Sequence, residues 1–278
     1  MIDDSVATGT DERFPSTGMS IKARAGDVRP TWSAPRVSVV IPTLNEAKNL
    51  PHVFARLPRD IYEVIVVDGY STDDTIAVAR ALYPAVHIVQ QTRPGKGNAL
   101  SCGFAACRGD VIVMLDADGS ADGAEIPRFV AALCSGVDFA KGSRFAPGGG
   151  SADITRLRRL GNRGLNALVN ALYGTRYTDL CYGYNAFWAH CLPYMNVDCD
   201  GFEVETLINV RVAKARLRVY EVPSFERNRI HGVSNLNAWR DGWRVLRTIV
   251  RERWAPLPAP AVQRRHIDVA TTQERAAA

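Results

Sequence analysis

Short β-branched runs alternate with helical patterns through the first half of the chain, and this alternation restricts the fold more than any other feature. The runs fall at 37–41, 63–67, 86–89, 111–115 and 138–141, and helical patterns fill 46–57, 72–82, 96–107 and 122–134. Near-continuous apolar strands separated by helices are buried on both faces. They predict a mostly parallel sheet flanked by helices, an α/β class of fold. Helix-start residues agree: Asn45 precedes Glu46, and Ser71 or Thr72 precedes Asp73 and Asp74 in a first turn. Ligands of such sheets bind beyond the carboxyl ends of the strands. The polar loops 42–46, 68–71 and 116–120 all fall at those ends and are expected to share one rim.

The second half is less regular. Residues 155–173 read as a helix with Arg on one side, 202–215 as another helix and 217–222 as a strand. A last amphipathic helix spans 236–254. Trp239, Trp243, Leu246 and Val250 form one stripe, and Arg240, Arg244, Arg247 and Arg251 form the adjacent one. Packing of the Trp stripe on the domain is the expected arrangement. The alternative is a helix on an anionic membrane surface, Trp inward and Arg toward headgroups. Residues 1–35 and 255–278 lack periodicity and read as a disordered extension and tail, leaving 36–235 as the folded domain.

No apolar run reaches the roughly 18–20 residues needed to span a bilayer, and the polar N-terminus lacks the apolar segment of a signal peptide. The six cysteines show no Cys-x-x-Cys spacing, which suits reduced, structural thiols in a cytoplasmic protein. The net charge of +5 suits an anionic partner such as nucleotide, phosphate or lipid, without choosing among them.

Asp116-Ala117-Asp118 follows the run 111–115 directly. Two carboxylates two residues apart at a strand end form a hard oxygen site. It suits Mg²⁺ or Mn²⁺, which bind few carboxylates and share their remaining shell with phosphate and water. The pair is therefore a candidate holder of a metal–diphosphate group, although the triplet alone is a weak signal.

The order of motifs is far more specific. Val39-Val40-Ile41-Pro42-Thr43-Leu44-Asn45-Glu46 comes first, then Val66-Val67-Asp68-Gly69-Tyr70-Ser71, then Gly95-Lys96-Gly97-Asn98-Ala99. Leu115-Asp116-Ala117-Asp118 and Lys141-Gly142-Ser143-Arg144 follow. Over about residues 36–236 this set resembles a family 2 glycosyltransferase of the GT-A fold, closest to the dolichyl- or polyprenyl-phosphate sugar synthases. The resemblance implies a single domain and a nucleoside diphosphate sugar donor. Pro42, Leu44, Glu46, Val66 and Asp68 would meet the nucleoside. Asp116, Ala117 and Asp118 would hold the diphosphate through the metal, with Asp118 the direct ligand. Ser120 stands where the branch often carries a Gln ligand. Arg144, Lys96 and Arg229 would approach the phosphates, the first as a bidentate grip.

On the acceptor side, Arg229-Ile230-His231-Gly232-Val233-Ser234-Asn235 resembles the branch's Arg-x-x-Gly-x-Ser-Lys stretch, with Asn235 replacing the Lys. The resemblance points to Arg158, Asn162, His231 and Ser234 as acceptor contacts. A phosphate monoester has its second pKa near 6, so it is largely anionic at pH 7 and needs no base. A hydroxyl acceptor would need a carboxylate base, for which Asp179, Glu203 and Glu205 are the candidates. The expected activity is inverting, metal-dependent hexosyl transfer to a polyprenyl phosphate at the cytoplasmic membrane face, with surface contact through 236–254 and no nucleic-acid partner. Rivals are a hydroxyl acceptor and a non-catalytic nucleotide-sugar-binding subunit. A nucleotidyltransferase would carry a Gly-rich loop after the first strand, which Pro42-Thr43-Leu44-Asn45-Glu46 is not. The absence of Gln-x-x-Arg-Trp argues against a processive polysaccharide synthase.

Overall fold

The computed structural model describes residues 34–232 and 238–258. The chain runs β1 (Val37–Thr43), α1 (Leu50–Phe54), β2 (Glu63–Asp68), α2 (Thr75–Leu82), β3 (His87–Gln90), α3 (Lys96–Ala106), β4 (Val111–Met114), α4 (Ile126–Cys134) and β5 (Phe139–Ser143). It continues through β6 (Gly150–Ser151), α5 (Arg156–Tyr173), β7 (Asn185–Trp188), α6 (Leu192–Met195), α7 (Val204–Lys214), β8 (Val219–Pro223), β9 (Phe225–Glu226) and α8 (Ala238–Trp254).

Seven strands form one sheet in the order β3-β2-β1-β4-β7-β5-β8. All neighbouring pairs are parallel except those of β7, which runs antiparallel between β4 and β5. Strand alternation sorts the core into two layers. Val39, Ile41, Val64, Val66 and Val113 face the layer of α1, α2 and α4, with Leu50, Ala79 and Phe129. Val40, Ile65, Val67, Ile112 and Met114 face α3 and α7, with Leu100, Phe104, Leu207 and Ile208. β6 and β9 pair as a separate short ribbon.

The expected helix starts shift in the structure: α2 begins at Thr75 after Asp74, not after Ser71 or Thr72. Asn45 does not cap a helix: it sits at φ 57°, and α1 starts only at Leu50. Instead Asn45 ties two loops together. Its amide N–H donates to Ser71 Oγ (2.9 Å), and its side-chain oxygen accepts from the Thr72 N–H (2.8 Å). Strand β7 was not expected at all; four residues are too few for a period to show.

The last helix reverses its expected face. Val245 and Ile249 bury against Val169, Tyr177, Leu180 and Val210. Glu252, also buried, accepts from Arg211 on α7 at 3.0–3.1 Å. Lys214 donates to the carbonyls of Glu252 and Ala255. This ion-paired seam sets the rotation of α8 and turns the Trp stripe outward, leaving Trp239 80% and Trp243 68% exposed. Among the described residues no helix is long and apolar enough to cross a membrane.

Candidate active site

The ends of β1, β2 and β4 do meet at one rim. Asp68 closes β2, nearly fully buried, and its carboxylate accepts from the N–H groups of Tyr70 (3.0 Å) and Ser71 (3.1 Å). Those bonds fix the loop that presents exposed Tyr70 at φ 64° and bring Gly69 N–H onto the Thr43 carbonyl at 2.8 Å. Leu44 is exposed beside it. The Val66 side chain is fully buried, in register with Ile41 and Ile88, two residues short of the strand end.

Past the end of β4, Asp116 and Asp118 line a cavity of about 500 Å³ together with Lys96, Ser120 and Glu205. Lys96 starts α3 and bridges two carboxylates, Asp116 Oδ1 at 2.6 Å and Glu205 Oε1 at 2.7 Å. Burial disfavours its charge, but the two carboxylates outweigh burial and hold the ammonium protonated well above the usual lysine range. Burial pushes Glu205 upward, opposed by Lys96 and reinforced by Asp116. Gly183 leaves room for this cluster: a Cβ there would lie 3.0 Å from Lys96 Nζ, 3.1 Å from Asp116 Oδ2 and 3.2 Å from Glu205 Oε1.

Asp118 is held from two sides. Its Oδ1 accepts from the Ser120 N–H at 2.9 Å, and its Oδ2 pairs with Arg229 Nη2 at 3.0 Å. The other arm of Arg229 reaches Glu46 Oε1 at 3.1 Å. Burial raises Glu46, while Asn49 and Arg229 counteract it. Asn49 also exchanges two hydrogen bonds with the backbone of His231, docking the 227–232 segment over the rim. Glu46, Asp118 and Arg229 thus come together as expected. The His231 ring stands 5.7 Å from that of His52 and lies outside the cavity lining. Ser234 lies outside the described residues.

The donor set fits a hard divalent cation. Asp116 and Asp118 present carboxylate oxygens to one cavity, and the side chains that neutralise them, Lys96 and Arg229, are ion-paired rather than covalently fixed. No group of three His, Cys, Asp or Glu side chains is preassembled among the described residues. A shell completed by diphosphate and water suits that arrangement.

One catalytic assignment needs correction. Asp179 is fully buried and absent from the cavity wall. Arg144 grips it through Nε (2.7 Å) and Nη2 (2.9 Å), Asn162 donates to it at 3.0 Å, and the Arg144 N–H adds 3.1 Å. Burial would raise its pKa, but Arg144 and Lys141 win and hold it below the usual carboxylate range. A sealed, ionised carboxylate of this kind cannot reach an acceptor hydroxyl. Arg144 lines the cavity, with its Nε and Nη2 on Asp179 and its Nη1 on Glu226 at 3.0 Å. Its ring neighbour Tyr182, 4.9 Å from the guanidinium carbon, covers it further. Asn162 lines the cavity as well, its oxygen accepting from the N–H groups of Leu180 and Cys181. Arg158 does line the cavity, paired with Asp153 at 3.1 Å. Glu226 and Gly183 were missed as parts of the site. Glu226 offered no signal, because its partner is 82 residues away. Gly183 stood in a noted Gly-aromatic pair, but its neighbours come from three elements.

Comparisons with known proteins bear on the family and the fold. The sequence model of the family described as glycosyl transferase family 2 matches residues 38–192. Glycosyltransferase AglJ of Haloferax volcanii is 32% identical over 221 residues, covering 77% of this chain and 71% of that protein. Polyprenol monophosphomannose synthase of Mycolicibacterium smegmatis is 34% identical over 223 residues, 76% of this chain and 83% of its own. Among solved structures, glucosyl-3-phosphoglycerate synthase from Mycobacterium tuberculosis, in complex with Mn²⁺, uridine diphosphate and glucosyl-3-phosphoglycerate, superposes with a TM-score of 0.62 at 25% identity. That match covers 82% of this chain and 86% of the other.

Proposed function

The chain belongs to glycosyl transferase family 2 and has the GT-A fold of its structural neighbours, and from that premise we propose that it transfers a hexose, with inversion, from a nucleoside diphosphate sugar to a polyprenyl phosphate. The donor is of the GDP-mannose or UDP-glucose type. The observation that carries this reading is the shared cavity: Asp116, Asp118, Lys96 and Arg229 converge at one end of it.

Asp68 and the 42–46 loop receive the nucleoside, and Asp116 and Asp118 hold the diphosphate end. Bound there, Mg²⁺ or Mn²⁺ would neutralise charge developing on the departing nucleoside diphosphate. Lys96 orients Asp116 and Glu205. Arg229 releases Asp118 and adds its own positive charge to the phosphates.

The acceptor reading draws on relatives such as the polyprenol monophosphomannose synthase. It also draws on the state of the carboxylates: Asp179 is sealed and Glu205 is tied to Lys96. An acceptor that is already anionic, as a phosphate monoester is, removes the need for a base. A protein of this kind works at the cytoplasmic membrane face as a peripheral enzyme.

The test is incubation of the protein with labelled GDP-mannose or UDP-glucose, Mg²⁺ and polyprenyl phosphate. Label should enter the lipid phase and be released by mild acid. Glu205 is the one candidate base that lines the cavity, so a hydroxyl acceptor remains the second reading. Label appearing only in a water-soluble product, and abolished by Glu205→Gln with donor binding intact, would favour it.

A further inference from the structure

Residues 227–232 cross the rim as a strap, bonded to both loops that carry the donor site. On one side it meets the loop after β4. The Arg227 N–H donates to the Ser120 carbonyl at 2.8 Å, and the Ile230 N–H donates to the Asp118 carbonyl at 3.2 Å. Gly119, between those carbonyls, stands at φ 75°, and a Cβ there would lie 2.6 Å from Ile230 Cδ1. On the other side the strap meets the start of α1. Its polar ties there, among the described residues, are Arg229 to Glu46 and the backbone of His231 to Asn49.

Asn49 is buried and directly precedes the first residue of α1. An asparagine in that position ordinarily accepts from the N–H of the second or third helical residue. Pro51, the second, has no N–H, and the Asn49 side chain makes no capping bond. Its amide turns instead to a peptide 182 residues away. Oδ1 accepts from the His231 N–H at 3.0 Å, and Nδ2 donates to the His231 carbonyl at 3.2 Å. Nδ2 also donates to Glu46. The Asn49 backbone is fixed as well. Its N–H donates to the Glu46 carbonyl at 2.9 Å, and its carbonyl accepts from the N–H groups of His52 and Val53. Pairing one acceptor and one donor with a single residue's N–H and C=O needs a primary amide. An ionised carboxylate of the same size could only accept.

Arg229 stands between the two anchors, Nη1 on Glu46 and Nη2 on Asp118. In the proposed transfer this guanidinium exchanges Asp118 for phosphate. Asn49 holds the strap through atoms that take no part in the exchange.

We propose that Asn49 is a positioning residue: it fixes the strap so that Arg229 stays where the nucleoside loop and the Asp116/Asp118 pair meet, and so sets the affinity for metal-bound nucleoside diphosphate. This role rests on the donor reading above. It adds a residue that acts on the donor through Arg229.

Calorimetric titration of GDP and UDP with Mg²⁺ into the full chain tests it, using Asn49→Ala, Arg229→Ala and the double variant. Asn49→Ala should weaken binding of the preferred nucleotide about fivefold, the scale of one or two hydrogen bonds, and Arg229→Ala at least as much. The double variant should bind no more weakly than Arg229→Ala alone, because both changes remove one contact. Amide hydrogen exchange over 227–232 should quicken in Asn49→Ala while β1 and β4 keep their protection. Losses that multiply, an unchanged affinity in Asn49→Ala, or unchanged exchange over 227–232 would each overturn the role and leave the donor reading standing. A parent protein that binds neither nucleotide with Mg²⁺ overturns both. If Asn49→Ala fails to fold, Asn49→Asp carries the same comparison, since it keeps the size and loses the donor.

Discussion

Asp118 and Asp179 are both carboxylates held by an arginine, yet their surroundings differ. Asp118 is 16% exposed, meets Arg229 through one guanidinium nitrogen at 3.0 Å and lines the cavity. Asp179 is 0% exposed, takes a two-pronged grip from Arg144 and has Asn162 on the same oxygen as one prong. A solvent-exposed pair contributes about 0–1 kcal/mol, and the first, reached by solvent where the second is not, is the cheaper of the two for a ligand to replace. A buried pair such as the second costs about 3–5 kcal/mol to break from one side, because a charge is left uncompensated. The Asp118 contact is therefore the more exchangeable of the two, and the Asp179 contact the costlier to break.

Mutation should separate the two sharply. Asp118→Asn is expected to lower glycosyl transfer by at least about 10³-fold while moving stability by no more than about 1 kcal/mol. Initial rates and a urea melt on the same preparation check both halves. Asp179→Ala should do the reverse in kind, lowering unfolding stability by about 3–5 kcal/mol. If instead it left the melt unchanged and abolished only transfer, Asp179 would be chemical after all.

Gly183→Val probes the cavity side of this comparison, since its Cβ intrudes on Lys96, Asp116 and Glu205. Overpacking of about 1–3 kcal/mol should appear as a larger loss of donor binding than of thermal stability. Calorimetric titration with nucleoside diphosphate and a melt resolve the two.

The acid side gives a fourth test. Burial raises Asp179 and Glu252, but Arg144 and Arg211 outweigh it and leave both carboxyls below their ordinary values. Their stabilisation is complete above the unfolded pKa of about 4 and is lost as pH falls through the lower folded values. Melting temperature should hold from neutral pH to about 5 and fall below about 4, and Asp179→Ala should flatten part of that fall. The smallest effect belongs to the outward stripe: Trp239→Ser should change stability by no more than about 0.5 kcal/mol. A drop of several kcal/mol would mean that the stripe packs on the domain.

The polar rim at the strand ends was legible in sequence because its geometry is local. Asp68 and Asp116 stand at strand ends, and a strand followed by a polar loop can be read within ten residues. The contacts across the rim were less accessible. Asn45 read as a helix cap, yet it bonds Ser71 and Thr72 from a left-handed turn. On the opposite wall the pairings span 35 residues for Arg144 with Asp179 and 82 for Arg144 with Glu226. No local pattern carries such information, so Asp179 looked like a base. The last helix misled for another reason. Its Trp stripe has the larger apolar payload, but Glu252 must meet Arg211, and that buried pairing fixed the rotation.

The central claim is that Asp116 and Asp118 hold the donor's diphosphate through a divalent cation. Calorimetric titration of GDP and UDP, with and without Mg²⁺ or Mn²⁺, into the parent protein and Asp118→Asn tests it most directly. The account predicts that metal tightens binding of one nucleotide at least about tenfold, and that the substitution removes this gain while leaving metal-free binding in place. Equal affinity with and without metal in the parent protein would contradict it.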